Sequence, residues 1–594
     1  MTPCDLVLTD ARIVDVFRLR VFRGWIGIRK GTFLYVEEGD PPPSIVSSLI
    51  PSVKDLPLCS VEGRYLCPGL IDSHMHIESS LLTPRRFAEA VLPHGTTTVL
   101  ADPHEVANAA GAEGLHYFLN SCTHLPLDIR IALPSCVPAT SPDLEWTPEV
   151  FDSATLEAFK TYLQVIALGE VMDYRRLLFE VDKETGMLYT MIQKARHLGW
   201  LVEGHVPTLE GLELSEYIAS GIGSDHTLTH PKKLLEQLSK GLTVMLQAKS
   251  LTPEVVQTVQ TLLDRSRILL VTDDIEPSLL AKGHLSSIVR LAIAQGMDAI
   301  DAIASATVRP ARYLGLERGA KKKGGIAPGY VADFLILSDL KEFFPEEVWV
   351  MGKQVGAKGI YVGPDLSSFI LSDESLSSHA SARIALSPQL PGPFTPEDFT
   401  LPTSFEGRQT ARVVHIKDAR TSITELHTIP VQIEHGFPCW KEEAANCCAI
   451  SIIARNNQSR SFALLQNLGL TRGGVASSFA HDSHNLLVLG RSAEEMAQAA
   501  NEVYRRGGGV AVVAGKKLLA FLPLAVFGLL SDAPVAEVAE QLEQVEVALK
   551  NLGIKRERPF LILSLLSLSV SPYAKITDRG IVNTENRVVL SPFF

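Results

Sequence analysis

The stretch PGLIDSHMHIESS, residues 68–80, follows an apolar run with two histidines one residue apart. Side chains alternate across a strand, so His74 and His76 share a face. Taken alone, the pair has two readings. They are metal ligands at the mouth of a barrel, or two polar residues leaving a strand. The 17 histidines of the chain make such a pair cheap to find, so the decision rests on what surrounds it.

From about residue 63 to 312, short apolar runs alternate with longer amphipathic, helix-like segments. That alternation predicts β/α units around a parallel sheet. Eight runs can be counted: YLCPGLIDSHMH, TTTVLADPH, DIRIALPS, VIALGEVMD, WLVEGHVP, GIGSDHT, LTVMLQAKS and RILLVTDD. Eight strands in this length predict a (β/α)8 TIM barrel, whose active sites lie at the C-terminal ends of the strands. The polar residues gather at those ends: His74 and His76, then Asp102 with His104 and Glu105, then Glu170, His205, Asp225 with His226, and Asp273. Six of the eight runs end this way. The repetition favours one shared site over six solvent-facing strand ends.

Imidazole suits divalent transition metals, and carboxylates complete such a sphere. The strand ends therefore propose a metal site of His74, His76, His205, His226 and Asp273, with Glu170 placed to bridge two ions. A bound metal brings water to a pKa near 7, and a nearby carboxylate or histidine then carries the proton to the leaving group. Asp273 is the preferred shuttle, because it can both touch the metal and accept the proton; its alternative role is a pure ligand. The signatures of other mechanisms are missing: there is no G-x-S-x-G, no Walker A, no G-x-G-x-x-G after a strand and no H-x-E…P-C-x-x-C.

The flanks read differently. DLVLTDARIVDV and WIGIRKGTFLYVEE, within residues 1–62, are β-rich. GGIAPGYVADFLILSDL and VWVMGKQVGAKGIYVG, within 313–363, return to strands. Together they predict a small β domain built from both sides of the barrel (63–312). Residues 364–405 are rich in Ser and Pro and read as a linker. Residues 406–594 predict a C-terminal α+β domain, with a helix over AEEMAQAANEVYRR stopped by Gly507, Gly508 and Gly509.

Composition sets limits. The net charge of −12 and the lack of a dense Lys/Arg block argue against a nucleic-acid binder. The eight cysteines are scattered without C-x-x-C, which suits a reducing compartment. No signal peptide is evident at the start. The most apolar stretch, LLAFLPLAVFGLL (518–530), is interrupted by Pro523 and shorter than the roughly 18 residues of a spanning helix. The expectation is a cytoplasmic protein without a membrane partner; a homodimer is admitted but not required.

With these residues in view, the chain resembles the adenine deaminase family of the amidohydrolase superfamily. The carrying motifs are PGLIDSHMHIESS, GTTTVLADPHEVAN, GEVMDY, EGHVP, SDH and TDD, and beyond the barrel TRGGVASSFAHDSHNLLVLG, GGGVAVV, LPLAVFGLLSD and KITDRG. The resemblance implies hydrolytic deamination of adenine to hypoxanthine and ammonia, as in purine salvage, by attack of metal-bound hydroxide on C6. It implies a binuclear centre of manganese or iron, with zinc as a further option, held by His74, His76, Glu170, His205, His226 and Asp273. Of these, Asp273, Glu170 and His226 are the catalytic candidates. Asp102, His104 and Glu105, with Glu78 and Asp274, are expected to contact substrate, relay protons or support the ligands. His481 and His484 either close over the mouth as a lid or hold their own domain together through Asp482 and Asn485.

Three positions depart from the family pattern at the active face: Thr227 in SDHT, Gln247 at the end of strand 7, and Ile275 after TDD. Each replaces a charge, which opens a second reading: an amidohydrolase acting on another aminated heterocycle or cyclic amide. A third, a catalytically silent paralogue, sits poorly with six intact ligand positions.

Overall fold

The computed structural model describes residues 2–44, 58–179, 185–369, 390–417 and 423–594. Its centre is the predicted barrel. The parallel strands Leu70–His76, Thr96–Ala101, Asp128–Leu133, Val165–Val171 and Leu201–Gly204 lie side by side, as do Ser224–Asp225, Thr243–Leu246 and Ile268–Leu270. The eighth strand resumes at Asp273–Asp274 and pairs back onto the first, Asp273 opposite Met75 and Asp274 opposite His76. Between the fifth and sixth strands the wall is joined by one backbone bond, Gly223 N–H to Val202 O at 3.0 Å. These strands are almost wholly buried, which explains their continuous apolar runs: both faces of a parallel sheet are covered.

The helices between strands carry ordinary start signals. Pro84, Pro231 and Pro253 occupy the first turn of theirs, where a missing N–H costs nothing. Asp152 and Thr155 form a reciprocal cap on Ser153–Phe159.

One strand differs from its sequence reading. YLCPGLIDSHMH is two strands, divided at Gly69. Tyr65–Pro68 belongs to the flanking sheet, antiparallel to Phe334–Leu337 and parallel to Leu6–Asp15; only Leu70–His76 enters the barrel. Gly69 packs its α-carbon on Thr97, where a Cβ would overlap the threonine side chain, so the chain can turn there only without one. The flanking sheet draws strands from both ends of the barrel segment, as expected.

The C-terminal region is built on a nine-stranded sheet running from Gly407–Ile416 to Lys517–Pro523. Ala493–Arg505 packs on it as the predicted helix, capped by Ser492 and ended at Gly507 with φ 72°. LLAFLPLAVFGLL supplies all but the first residue of the strand Lys517–Pro523, and a buried turn; among the described residues no helix is long and apolar enough to cross a membrane. Residues 370–389 of the expected linker lie outside the described residues. From Leu390 the chain is not a free tether: Leu390, Phe394 and Phe399 are buried, and Phe394 exchanges two 2.8 Å hydrogen bonds with Asn501.

The hydrophobic core runs unbroken from the barrel helices into this sheet. Tyr117 meets Phe527 edge-on at 5.5 Å. Ser531 donates its N–H to Leu81 O at 2.7 Å, and Asp578 accepts from Trp146 N at 2.8 Å. The turn at 478–485 that faces the barrel is held from behind by Arg455. Its buried guanidinium donates to the carbonyls of His484 (2.7 Å), Phe527 (2.8 Å) and Ser478 (3.2 Å). Burial pulls it down to about 9. Replacing it by Met orphans three carbonyls, each worth about 1–3 kcal/mol when buried without a partner. Arg455→Met is therefore expected to lose about 3 kcal/mol or more of stability, read as a lower urea midpoint; an unchanged midpoint would show that the turn does not depend on it.

Candidate metal centre at the barrel mouth

Each of the six strand ends singled out in the sequence sends a side chain to one buried cluster, although Asp225 turns from it to Val206 N and Gln237 and Glu105 turns to His481 and His484. Its hub is Glu170, at the end of the fourth strand. Glu170 Oε1 lies 3.3 Å from His76 Nε2, and Oε2 lies 2.5 Å from His205 Nδ1 and 3.2 Å from His226 Nε2. Asp273 Oδ1 is 3.6 Å from His76 Nε2 and 3.8 Å from His74 Nε2. The His74 and His226 rings stack at 3.7 Å. Two triplets stand out, His74–Glu170–His226 and His74–His76–Asp273, each with donor atoms within 4.8 Å of one another. His205 joins the cluster through Glu170 and is its most exposed member, at 29%.

The cluster is built by backbone choices as much as by side chains. Asp102 Oδ2 accepts the Glu170 N–H at 2.9 Å, and its own carbonyl is 3.0 Å from His76 Nδ1. That approach needs Gly169: a Cβ there would overlap the Asp102 carboxylate. Asp273 sits at φ 60°, a region that Asp tolerates better than most side chains, and this turns its carboxylate into the mouth. Gln247 fixes that carboxylate, donating to Asp273 Oδ2 at 2.7 Å and to His226 O at 3.2 Å.

Electrostatics follow the geometry. Burial alone would raise the Asp273 carboxyl, yet His76, His226 and His74 hold it well below the usual carboxylate range. Glu170 is likewise held low against burial by His226 and His205. His226, despite burial, is pushed up to about 9 by Glu170 and Asp273. His74 is driven down by burial, then by His226 and His76. Its Nε2 is buried and makes no hydrogen bond among the described residues, although it faces carboxylates. Imidazoles and carboxylates aimed at one another with an unmatched buried nitrogen fit a divalent metal ion.

A cavity of about 240 Å³ opens from the cluster, lined by His76, Glu170, His205, His226, Asp273 and Asp274 on the barrel side. His104 and Glu105 line its next wall. The far wall comes from the C-terminal domain: His481, Asp482, Leu565, Leu568, Val570, Ser571 and Pro572. His481 thus reaches the mouth, but as a buried wall rather than an open lid, and His484 lies behind it, paired to Glu105 at 3.2 Å. Glu78 does not line the cavity; burial and neighbouring Glu105 push it up to about 7, and it accepts from Val106 N at 3.2 Å. Asp274 accepts from Ser79.

The three departures separate. Thr227 turns away, bonding to Asp225 and Val206 O, with Lys233 Nζ on its hydroxyl at 2.6 Å. Ile275 is buried and lines nothing in the cavity. Only Gln247 touches the cluster. The expectation that all three face the bound molecule is therefore corrected: at Thr227 and Ile275 the side chains serve the barrel wall.

The sequence reading missed several contributors. Asp72 lies beneath the cluster, accepting from Thr272 Oγ1 at 2.6 Å, and burial raises it to about 7. It shares the alternating face of His74 and His76, a signal that was available. Glu203 accepts from Tyr313 and Ser224, both at 2.7 Å. The apolar wall at 565–572 carried no signal.

A parallel barrel with a histidine–carboxylate cluster at its C-terminal mouth defines a metal-dependent hydrolase, and sequence comparison agrees. The amidohydrolase family model matches residues 65–355, and the adenine deaminase C-terminal domain model matches 421–587. The adenine deaminase 2 of Carboxydothermus hydrogenoformans is 34% identical over 98% of this chain and 95% of its own length. The adenine deaminase of Clostridium perfringens is 32% identical, with 99% of each chain covered. Among solved structures, the β-aspartyl dipeptidase of Fervidobacterium islandicum aligns with a TM-score of 0.45 at 17% identity, over 61% of this chain and all of its own. The chain belongs to the adenine deaminase family of the amidohydrolases.

His74→Ala removes the nitrogen that makes no hydrogen bond among the described residues. It is expected to lower bound metal and activity together, because a lost ligand costs about 10-fold or more in affinity. An unchanged metal-to-protein ratio would remove His74 from the ligand set.

Proposed function

We propose that this protein deaminates adenine hydrolytically to hypoxanthine and ammonia, using a binuclear centre of manganese or iron, with zinc as the next choice. One observation carries the reading: an intact histidine–carboxylate cluster at the mouth of a barrel whose chain aligns end to end with adenine deaminases. His74, His76 and Asp273 would hold one ion and His205 and His226 the other, with Glu170 between them. When bound, such a metal is a Lewis acid that makes water nucleophilic at neutral pH.

The chain's own groups account for the rest. In the reaction a C6–O bond forms and the exocyclic C6–N6 bond breaks, while one proton of water ends on ring N1 and the other on the departing amine. Asp273 Oδ1 is the acceptor, kept ionised by His76, His226 and His74 and held in orientation by Gln247 on Oδ2. Handing that proton on to the amine completes the exchange. Leu565, Leu568 and Val570 exclude bulk water from the far side, strengthening every charge interaction inside. Gln247 is the single departure at the site that favours a different heterocycle, and it acts through Asp273 rather than on the cavity.

The test is ammonia release from adenine by the metal-loaded protein, with matched metal analysis and a panel of other aminated heterocycles. Adenine is expected to be the preferred substrate; turnover no better than that of the other bases would reject the reading, and inactivity across the panel would favour a silent paralogue. Asp273→Asn, which keeps the shape and loses the base, is expected to lower kcat about 100-fold or more with little change in thermal midpoint. Near-parental turnover would remove Asp273 from the proton path.

A further inference from the structure

Five ionisable side chains outside the proposed ligand set meet where the C-terminal domain packs on the barrel. His104 and Glu105 open the helix His104–Ser121, while His481, Asp482 and His484 come from the turn braced by Arg455. All five are at least nine-tenths buried. Asp482 Oδ1 lies 3.6 Å from His104 Nε2 and 3.7 Å from His481 Nδ1. Glu105 faces the same two-histidine turn, Oε1 at 2.5 Å from His481 Nδ1 and Oε2 at 3.2 Å from His484 Nε2.

The two contacts of Asp482 exceed hydrogen-bond length. They are the spacing of donors that share an ion: nitrogen and oxygen ligands at about 2.0–2.2 Å from a metal stand up to about 4.4 Å apart. His104, Glu105 and Asp482 each offer an atom to a set spanning no more than 4.8 Å. A second, independent observation points the same way. Asp482 Oδ2 is buried and makes no hydrogen bond among the described residues, whereas Glu105 Oε2 and His484 Nε2 face each other at 3.2 Å. An unmatched buried carboxylate oxygen is costly, and Asp482 lines the cavity wall, so its free oxygen indicates a missing partner there.

We propose that His104, Glu105 and Asp482, with His481 beside them, bind a further divalent transition-metal ion, distinct from the barrel-mouth centre. Mixed imidazole and carboxylate donors select that class of ion. Its ligands come from both sides of the domain seam, so the ion ties the C-terminal wall of the cavity to the barrel. His104 stands between the two centres: Nε2 faces Asp482, while Nδ1 faces Asp102 at 3.5 Å and Glu170 at 3.9 Å.

The experiment is anomalous diffraction from crystals of the full-length protein loaded with Mn²⁺, recorded on both sides of the manganese edge. The expected map has a peak within about 2.5 Å of His104 Nε2 and an Asp482 oxygen, separate from those among His74, His76 and Asp273. In Asp482→Asn the seam peak is expected to vanish while the barrel-mouth peaks persist, with bound Mn²⁺ falling by about one ion per chain. Barrel-mouth peaks without a seam peak in the parent protein would overturn the proposal and leave the barrel centre standing. A seam peak alone would sustain it and overturn the barrel centre. A map with neither would overturn both.

Discussion

The Glu170 carboxylate is the point on which the site depends. Three histidines from three strands meet its two oxygens, and it is buried. A carboxylate in that position is tolerable only if its charge is matched and its backbone fixed. The histidines supply the first condition. Asp102 supplies the second, holding the Glu170 N–H, and the bare α-carbon of Gly169 lets it come close enough. The ADPHE and GEVMD motifs are therefore one device: the second strand orients the hub of the fourth. Gln247 does the same for Asp273 from the seventh strand.

Much of this was legible in the sequence because both signals are periodic. Apolar runs of strand length alternating with helical segments spell a parallel barrel, and polar residues at the run ends mark its mouth. His74, His76, Glu170, His205, His226 and Asp273 were placed by that logic, and the structure brings them together. Legibility stopped where contacts depend on distance in the fold rather than position in a strand. Nothing local in Leu565 or Val570 says that it faces a barrel some 300 residues earlier. The split at Gly69 was hidden because Tyr65–Pro68 and Leu70–His76 are both apolar strands, and only their pairing partners distinguish them. Thr227 and Ile275 were read as facing the mouth because they stand beside ligand motifs; alternation turns Thr227 away from the side of His226, and Ile275 is buried outside the cavity lining.

The C-terminal domain is part of the site and not an appendage to it. It supplies one wall of the cavity, and its packing is continuous with the barrel core. Polar links cross the seam as well: Asp578 with Trp146, Arg587 with Asp173 at 2.6 Å, and the 478–485 turn against Glu105. This arrangement closes the mouth from above, which suits a small flat substrate and excludes a long polymer.

The barrel's eighth strand is broken, and its second piece, Asp273–Asp274, is what pairs with the first strand. The residue that closes the ring is thus also a proposed ligand. Joining Asp273 to Met75 brings together positions almost 200 apart in the chain, a contact with a large loop-closure cost that is made only when the intervening strands are in place. The ligand site and the closure of the ring therefore share the same residues. An ion bridging His74, His76 and Asp273 would act as a latch on the last-formed seam, so that retention of the ion reports whether the ring has shut.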